Sequence, residues 1–271
     1  MNTEEINGYP VPQLDEMNRL FPDYDVQMLV GLGSSGAVFY AHRDGKMYSI
    51  KIVLGERNIR TECEFRAETE AMQAMDHPNI IKMYDFGELE GHRYIIMEYV
   101  ERGTLHGMMQ EYTFNEQSVA NTMVMLCDGL SHVHEKGFIH RDIKPDNIMI
   151  AEDWTPKIMD FGLAVNTKDP QYGYTAVGSK GYAAPEVASD PKNIDRRVDV
   201  YALGAVLFTL ITREIPDPVQ PDFEKMNGSD IRFKVIAKNA MQRDLCNRTD
   251  SVDGIRNRLM NMMKSWNLRA R

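Results

Sequence analysis

The chain has 271 residues, 43% of them hydrophobic and 26% charged, a balance ordinary for a soluble globular protein and sufficient for a sizeable core in one large domain or two lobes. A formal net charge of −9 argues against a nucleic-acid binder that relies on a basic surface. Cys63, Cys127 and Cys246 are far apart with no C-x-x-C, so neither a disulfide framework nor a zinc site is indicated, and a reducing, cytoplasmic setting fits.

In chain order, the opening M-N-T-E-E-I-N-G is acidic and polar, unlike a secretory signal. Residues 1–23, with Pro10, Pro12 and Pro22 and little periodicity, read as a flanking leader or short helix. From Tyr24 the pattern turns strand-like: Val26, Met28 and Val30 alternate, the glycine-rich run Gly31-Leu32-Gly33-Ser34-Ser35-Gly36 intervenes, and residues 37–41 resume. A turn at 42–46 leads into residues 47–53, which makes three consecutive strands of an antiparallel meander. The glycines fall between two strands, whereas a dinucleotide fingerprint needs a helix to follow. A glycine hairpin that lets backbone N–H groups approach nucleotide phosphates fits better, with Lys51 at the end of Y-S-I-K nearby.

Residues 61–75 predict a helix, with an approximate apolar stripe through Phe65, Thr69, Met72 and Met75, and with Glu62, Glu64, Glu68 and Glu70 by default on a solvated face. Residues 80–84 and 94–99 predict strands, and Asp85-Phe86-Gly87 between them predicts a turn. A helical period runs over 115–136 through Val119, Met123, Leu126, Leu130 and Val133, with Gly137 as its C-cap. His132 and His134, two apart, fall on different faces and are expected in packing or at the surface, not as metal ligands. The apolar run 201–211 is too short for a membrane span and predicts a buried helix.

The densest pattern is residues 140–162, H-R-D-I-K-P-D-N-I-M-I-A-E-D-W-T-P-K-I-M-D-F-G. Two short apolar runs around Trp154-Thr155-Pro156 predict loop, strand, turn, strand, loop, which returns Asp142 and Asp160 to the same end. Asp142, Asn147 and Asp160 are hard oxygen donors suited to a divalent cation that holds phosphate groups. The stretch resembles the catalytic and metal-binding loops of eukaryotic-type serine/threonine protein kinases, H-R-D-x-K-x-x-N followed by D-F-G.

The resemblance implies a bilobal α+β fold over residues 24–271, with a small antiparallel β lobe carrying one helix (about 24–99), a hinge (about 98–103) and a larger, mainly helical lobe (about 104–271). It implies ATP and Mg²⁺ (or Mn²⁺) as cofactors and Ser/Thr hydroxyls of proteins as acceptors. Gly31, Leu32, Gly33, Ser34, Ser35, Gly36 and Val38 would form the nucleotide-covering loop, and Ser49 stands where the family usually has alanine. Lys51 would bind phosphates, oriented by Glu68, the acidic residue ten before Pro78 of H-P-N. Met97 would be the gatekeeper, the backbone groups of Glu98 and Val100 would meet adenine, and Met149 would lie under it.

Asp142 would take or orient the proton of the attacking hydroxyl, Lys144 would neutralise the γ-phosphate, and Asn147 and Asp160 would hold Mg²⁺. His140 is expected to pack beneath Phe161. Ala184-Pro185-Glu186, Asp199 and Arg248 match structural positions of the family, and Lys144 with Ser179 favours serine/threonine over tyrosine acceptors. Among Thr167, Tyr172, Tyr174, Thr175 and Ser179, Thr175 stands where many relatives carry the activating phosphate, which Arg141 would engage. One departure is that residues 216–248 leave little room for the usual helix and loop that dock protein substrates, with 217–230 irregular. The alternatives are a small-molecule phosphotransferase and a non-catalytic pseudokinase scaffold. A protein without a nucleic-acid partner or a membrane span, with a regulatory partner supplying the signal, completes the reading.

Overall fold

The computed structural model describes residues 5–6, 8–33, 36–168 and 178–269. The chain divides into two compact units: Met1–Gln73 with Ile81–Tyr99, and Ala74–Ile80 with Val100–Arg271. The architecture is α+β, with the sheet in the first unit and helices dominating the second.

In the first unit a small hairpin, β1 (Glu5–Ile6) and β2 (Tyr9–Pro10), precedes α1 (Leu14–Leu20). Then come β3 (Asp25–Gly33), β4 (Gly36–Arg43), β5 (Lys46–Val53), α2 (Ile59–Ala74), β6 (Met83–Leu89) and β7 (His92–Glu98). The five long strands form one antiparallel sheet in the order β3-β4-β5-β7-β6. Two hairpins close on Asp44-Gly45 and Glu90-Gly91, all four with positive φ, the geometry that matches the twist of the flanking strands. One face of the sheet buries Phe39, Ile50, Ile52 and Ile96, and Val11, Met17, Leu20 and Phe21 pack into the same cluster. Residues of the flank 1–23 are therefore part of this unit's core.

Helix α2 starts two residues before the expected 61, because Asn58 caps it. Asn58 Oδ1 accepts from Thr61 N–H at 3.0 Å, and Asn58 N–H donates to Thr61 Oγ1 at 3.2 Å. The segment Asp85-Phe86-Gly87, expected as a turn, lies inside β6 and pairs with Ile96, Ile95 and Tyr94. Tyr94 explains it: its hydroxyl donates to Asp85 at 3.2 Å, and a Cβ at Gly87 would meet that oxygen at 3.0 Å. The glycine makes room for a cross-strand ring where the sequence suggests a chain reversal.

The second unit contains α3 (Leu105–Glu111), α4 (Glu116–Glu135), β8 (Phe138–Ile139), a 3₁₀ turn (Pro145–Asn147), β9 (Ile148–Ile150), β10 (Pro156–Ile158) and β11 (Val165–Asn166). These are followed by α5 (Pro185–Ser189), α6 (Arg197–Thr212), α7 (Ile231–Ala240) and α8 (Val252–Arg269). Thr104 and Asn115 cap α3 and α4 through side-chain oxygens. Helix α6 is apolar almost all round and buried from Val198 to Leu210, as expected of a central helix. A Cβ on its Gly204 would lie 2.7 Å from that of Ala240, so glycine permits the close approach of α7. Residues 217–230 hold a 3₁₀ turn, Phe223–Met226, and the short stretch after Pro216 still accommodates the ten-residue α7. Among the described residues no helix is long and apolar enough to cross a membrane.

Candidate active site

In the first unit, register assembles the site. Ser49 pairs with Met97 and Lys51 with Val38 and Ile95, so Val38, Ser49, Lys51 and Met97 share the sheet face opposite Phe39, Ile50 and Ile52. Lys51 Nζ donates to both carboxylate oxygens of Glu68 on α2, at 2.6 and 2.8 Å, with both residues buried. Of the glycine run, Gly36 is demanded by the backbone: its φ is +147°, and a Cβ would meet the Ile52 carbonyl oxygen at 2.0 Å. Gly31 and Gly33 meet no such obstacle, since a Cβ would find Val38 at 3.6 Å and open space respectively. Their lack of a side chain keeps space clear beside the strand, which suits the close approach of a phosphate. Leu32 is half exposed on β3, and Ser34 and Ser35 lie outside the described residues. Glu98 N–H donates to the Lys82 carbonyl at 2.9 Å.

In the second unit β9 and β10 pair antiparallel around Trp154 and return their flanking loops to one end. Met149 on β9 is half-buried, and Val100 opens the unit as a buried residue. Asp142 is buried and accepts from Lys144 Nζ at 2.8 Å, Ser179 Oγ at 2.7 Å and Asn147 Nδ2 at 2.8 Å. Lys144 also donates to Ser179 Oγ at 2.7 Å. Burial alone would raise the Asp142 carboxyl, but the hydrogen bonds from Lys144 and Ser179 outweigh it and hold it below its ordinary value. It is ionised at neutral pH, able to accept a proton. His140 and Phe161 lie with ring centroids 4.7 Å apart.

Asn147 turns its amide nitrogen to Asp142, leaving the oxygen as the atom it can offer a cation, and its carbonyl accepts from Met159 N–H at 3.0 Å, beside Asp160. Among the described residues no group of three or more His, Cys, Asp or Glu could enclose a metal. Two hard oxygens, from Asn147 and Asp160, fit a divalent cation whose remaining ligands are water and substrate phosphates.

Asp199 fixes the loop that carries Asp142. From the first turn of α6 its wholly buried carboxylate accepts from His140 N–H at 2.9 Å, Arg141 N–H at 2.8 Å and His134 Nε2 at 2.7 Å. Arg141 sits at φ +71°, a left-handed conformation held by that acceptor. His134, expected in packing or at the surface, packs here against a buried carboxylate. Leu126 and Leu130 are fully buried, and His134 continues their i, i+4 stripe, so a polar group there calls for a buried partner. Arg248 donates to both oxygens of Glu186, one at 2.9 Å. Tyr172, Tyr174 and Thr175 lie outside the described residues.

Comparison with known proteins identifies the family. The protein kinase domain family matches residues 24–271. The serine/threonine-protein kinase cds1 of Schizosaccharomyces pombe is 34% identical over 209 residues, 71% of this chain and 45% of that protein. The serine/threonine-protein kinase PknB of Mycobacterium leprae is 30% identical over 254 residues, 83% of this chain and 40% of that protein. The kinase pkn3 of Myxococcus xanthus is 34% identical over 209 residues, 71% of this chain and 38% of that protein. The chain thus spans less than half the length of these relatives. A match over residues 24–271, nearly the whole chain, makes the chain a member of the protein kinase domain family.

Proposed function

We propose that the chain is an ATP- and Mg²⁺-dependent serine/threonine protein kinase that transfers the γ-phosphate of ATP to Ser or Thr hydroxyls of proteins. The observation that carries it is the triangle of Asp142, Lys144 and Ser179, with edges of 2.7 to 2.8 Å. A serine hydroxyl already donates to Asp142, which is the kind of group an acceptor would present. In transfer, the acceptor oxygen forms a bond to the γ-phosphorus while the bond to the ADP oxygen breaks, and the hydroxyl proton passes to Asp142. Lys144 offsets charge on the phosphate in flight, and Lys51, steadied by Glu68, binds the phosphates that stay with ADP. Asn147 and Asp160 would hold Mg²⁺, which supplies charge neutralisation at the phosphate oxygens. Phosphorylation of Thr175 is the proposed activating step, with Arg141 as the partner of that phosphate.

The test is phosphoprotein mass spectrometry after incubation with ATP and Mg²⁺, beside an Asp142→Asn control. Phosphate on Thr175 or its neighbours in the wild type alone is expected. No phosphate on the chain or on a generic protein, despite ATP binding, would point instead to a small-molecule phosphotransferase or a scaffold.

A further inference from the structure

The segment before residue 24 lies outside the family match, yet α1 is built into the sheet. Met17 is fully buried, and Phe21 meets Tyr94 edge-on with ring centroids 5.1 Å apart. Helix α1 also presents Asn18 to β3. Asn18 Oδ1 accepts from Val26 N–H at 2.9 Å, and Asn18 Nδ2 donates to the Val26 carbonyl at 2.9 Å and to the Leu14 carbonyl at 3.0 Å. Since β3 is the edge of the sheet, its outward backbone groups face no further strand among the described residues. The side-chain amide supplies one donor and one acceptor, as a residue of a neighbouring strand would.

The position of this clamp matters. Val26 stands just before the first of two register shifts in β3, between Val26 and Met28 and between Leu29 and Gly31. Such bulges interrupt the ladder and redirect the chain, and a slip of one residue would turn every following side chain to the wrong face. Beyond the second shift the strand carries Gly31 and Gly33, and Gly33 pairs with Gly36, whose own place is fixed against Ile52. Gly36 is thus held by packing within the sheet, and Gly31 and Gly33 by the strand that leads to them.

We propose that Asn18 is a positioning residue for the glycine-bearing end of β3: by clamping Val26 it fixes the register of the strand that carries Gly31 and Gly33 to the nucleotide phosphates. The proposal rests on the nucleotide-binding reading above. It also gives the segment outside the family match a part in the reaction.

The experiment compares Asn18→Ala and Asn18→Leu with the wild type in the full chain. Asn18 is exposed, so both variants should fold. Amide hydrogen exchange across β3 should quicken roughly tenfold while β6 and β7 exchange as before, the effect expected of two lost hydrogen bonds. The dissociation constant for a fluorescent ATP analogue and the KM for ATP should rise about 3- to 10-fold with kcat within about twofold, since the lost contacts act on binding. Faster exchange spread evenly over the whole sheet would reduce Asn18 to a general stabiliser and overturn the proposal. So would unchanged nucleotide affinity in both variants. Failure of the wild type itself to bind nucleotide would overturn the functional reading on which the proposal rests.

Discussion

The two units bury charge in different ways. The first holds the ion pair of Lys51 and Glu68, contributed by a strand and the helix that follows it, 17 residues apart. The second holds a network in which Asp142 and Asp199 draw donors from α4, the 140–147 loop and the segment around Ser179, across separations of up to 65 residues. A pair between neighbouring elements orients one side chain and leaves the surrounding sheet to be held by its own ladder and core. A network that joins distant segments sets the course of the backbone itself. Substitution in the first should therefore remove chemistry and spare the fold, whereas substitution at the centre of the second should damage both.

The largest expected effect is on rate. Asp142→Asn keeps the volume and much of the hydrogen bonding but removes the proposed proton acceptor, and should lower kcat by about 10²- to 10⁴-fold. Lys51→Met removes the cation proposed to bind phosphates and keeps the aliphatic stem, so phosphate transfer should be nearly abolished while the protein stays folded. Steady-state phosphate incorporation and thermal unfolding check both. Wild-type turnover by either variant would sink the assignment of these residues.

Next in size is the stability of the loop support. Asp199→Ala orphans the His140 and Arg141 N–H groups and strips His134 of a buried partner, a loss of about 3–5 kcal/mol by analogy with broken buried charge pairs. Denaturant unfolding of Asp199→Ala beside Lys51→Met gives the comparison directly. If both unfold at the same midpoint, the contrast between pair and network fails.

How much of this could be read in advance follows the same division. Residues 140–162 were legible because their spacing encodes a local loop-strand-turn-strand-loop, and local pairing of β9 with β10 realises it. The three strands around the glycine run were legible through alternation and the Asp44-Gly45 turn. Contacts made across long separations were not. The sequence marks Asp85-Phe86-Gly87 with turn residues, and only the ring of Tyr94 on the neighbouring strand explains a glycine in mid-strand. The expectation of packing or surface for His134 names no partner, and Asp199, 65 residues on, supplies it. The flank before residue 24 shows little periodicity, because α1 is short and its apolar residues are chosen by the sheet they cover.

The smallest expected effect is on the acid side of the stability profile, and it isolates one carboxylate of the network. Asp142 and Asp199 are both held below the ordinary 3.8: burial opposes ionisation in each, and hydrogen bonds outweigh it, from Lys144 and Ser179 in one case and from His134 in the other. A carboxyl that ionises at lower pH in the folded chain than in the unfolded one adds stability at any pH above about 4, and that contribution is lost as the pH falls through the folded value. In that interval the unfolded chain binds the extra proton, and each such group steepens the loss by up to about 1.4 kcal/mol per pH unit. Asp142→Asn removes one of them and leaves the remaining carboxylates in place. Its unfolding free energy should therefore decline less steeply than that of the wild type as the pH drops from about 5 to about 3, so that the gap between the two proteins narrows. Parallel acid limbs in urea titrations would mean that Asp142 binds its proton equally well folded and unfolded. The network would then be fixing the loop's path without favouring the charge that the proposed transfer reaction needs.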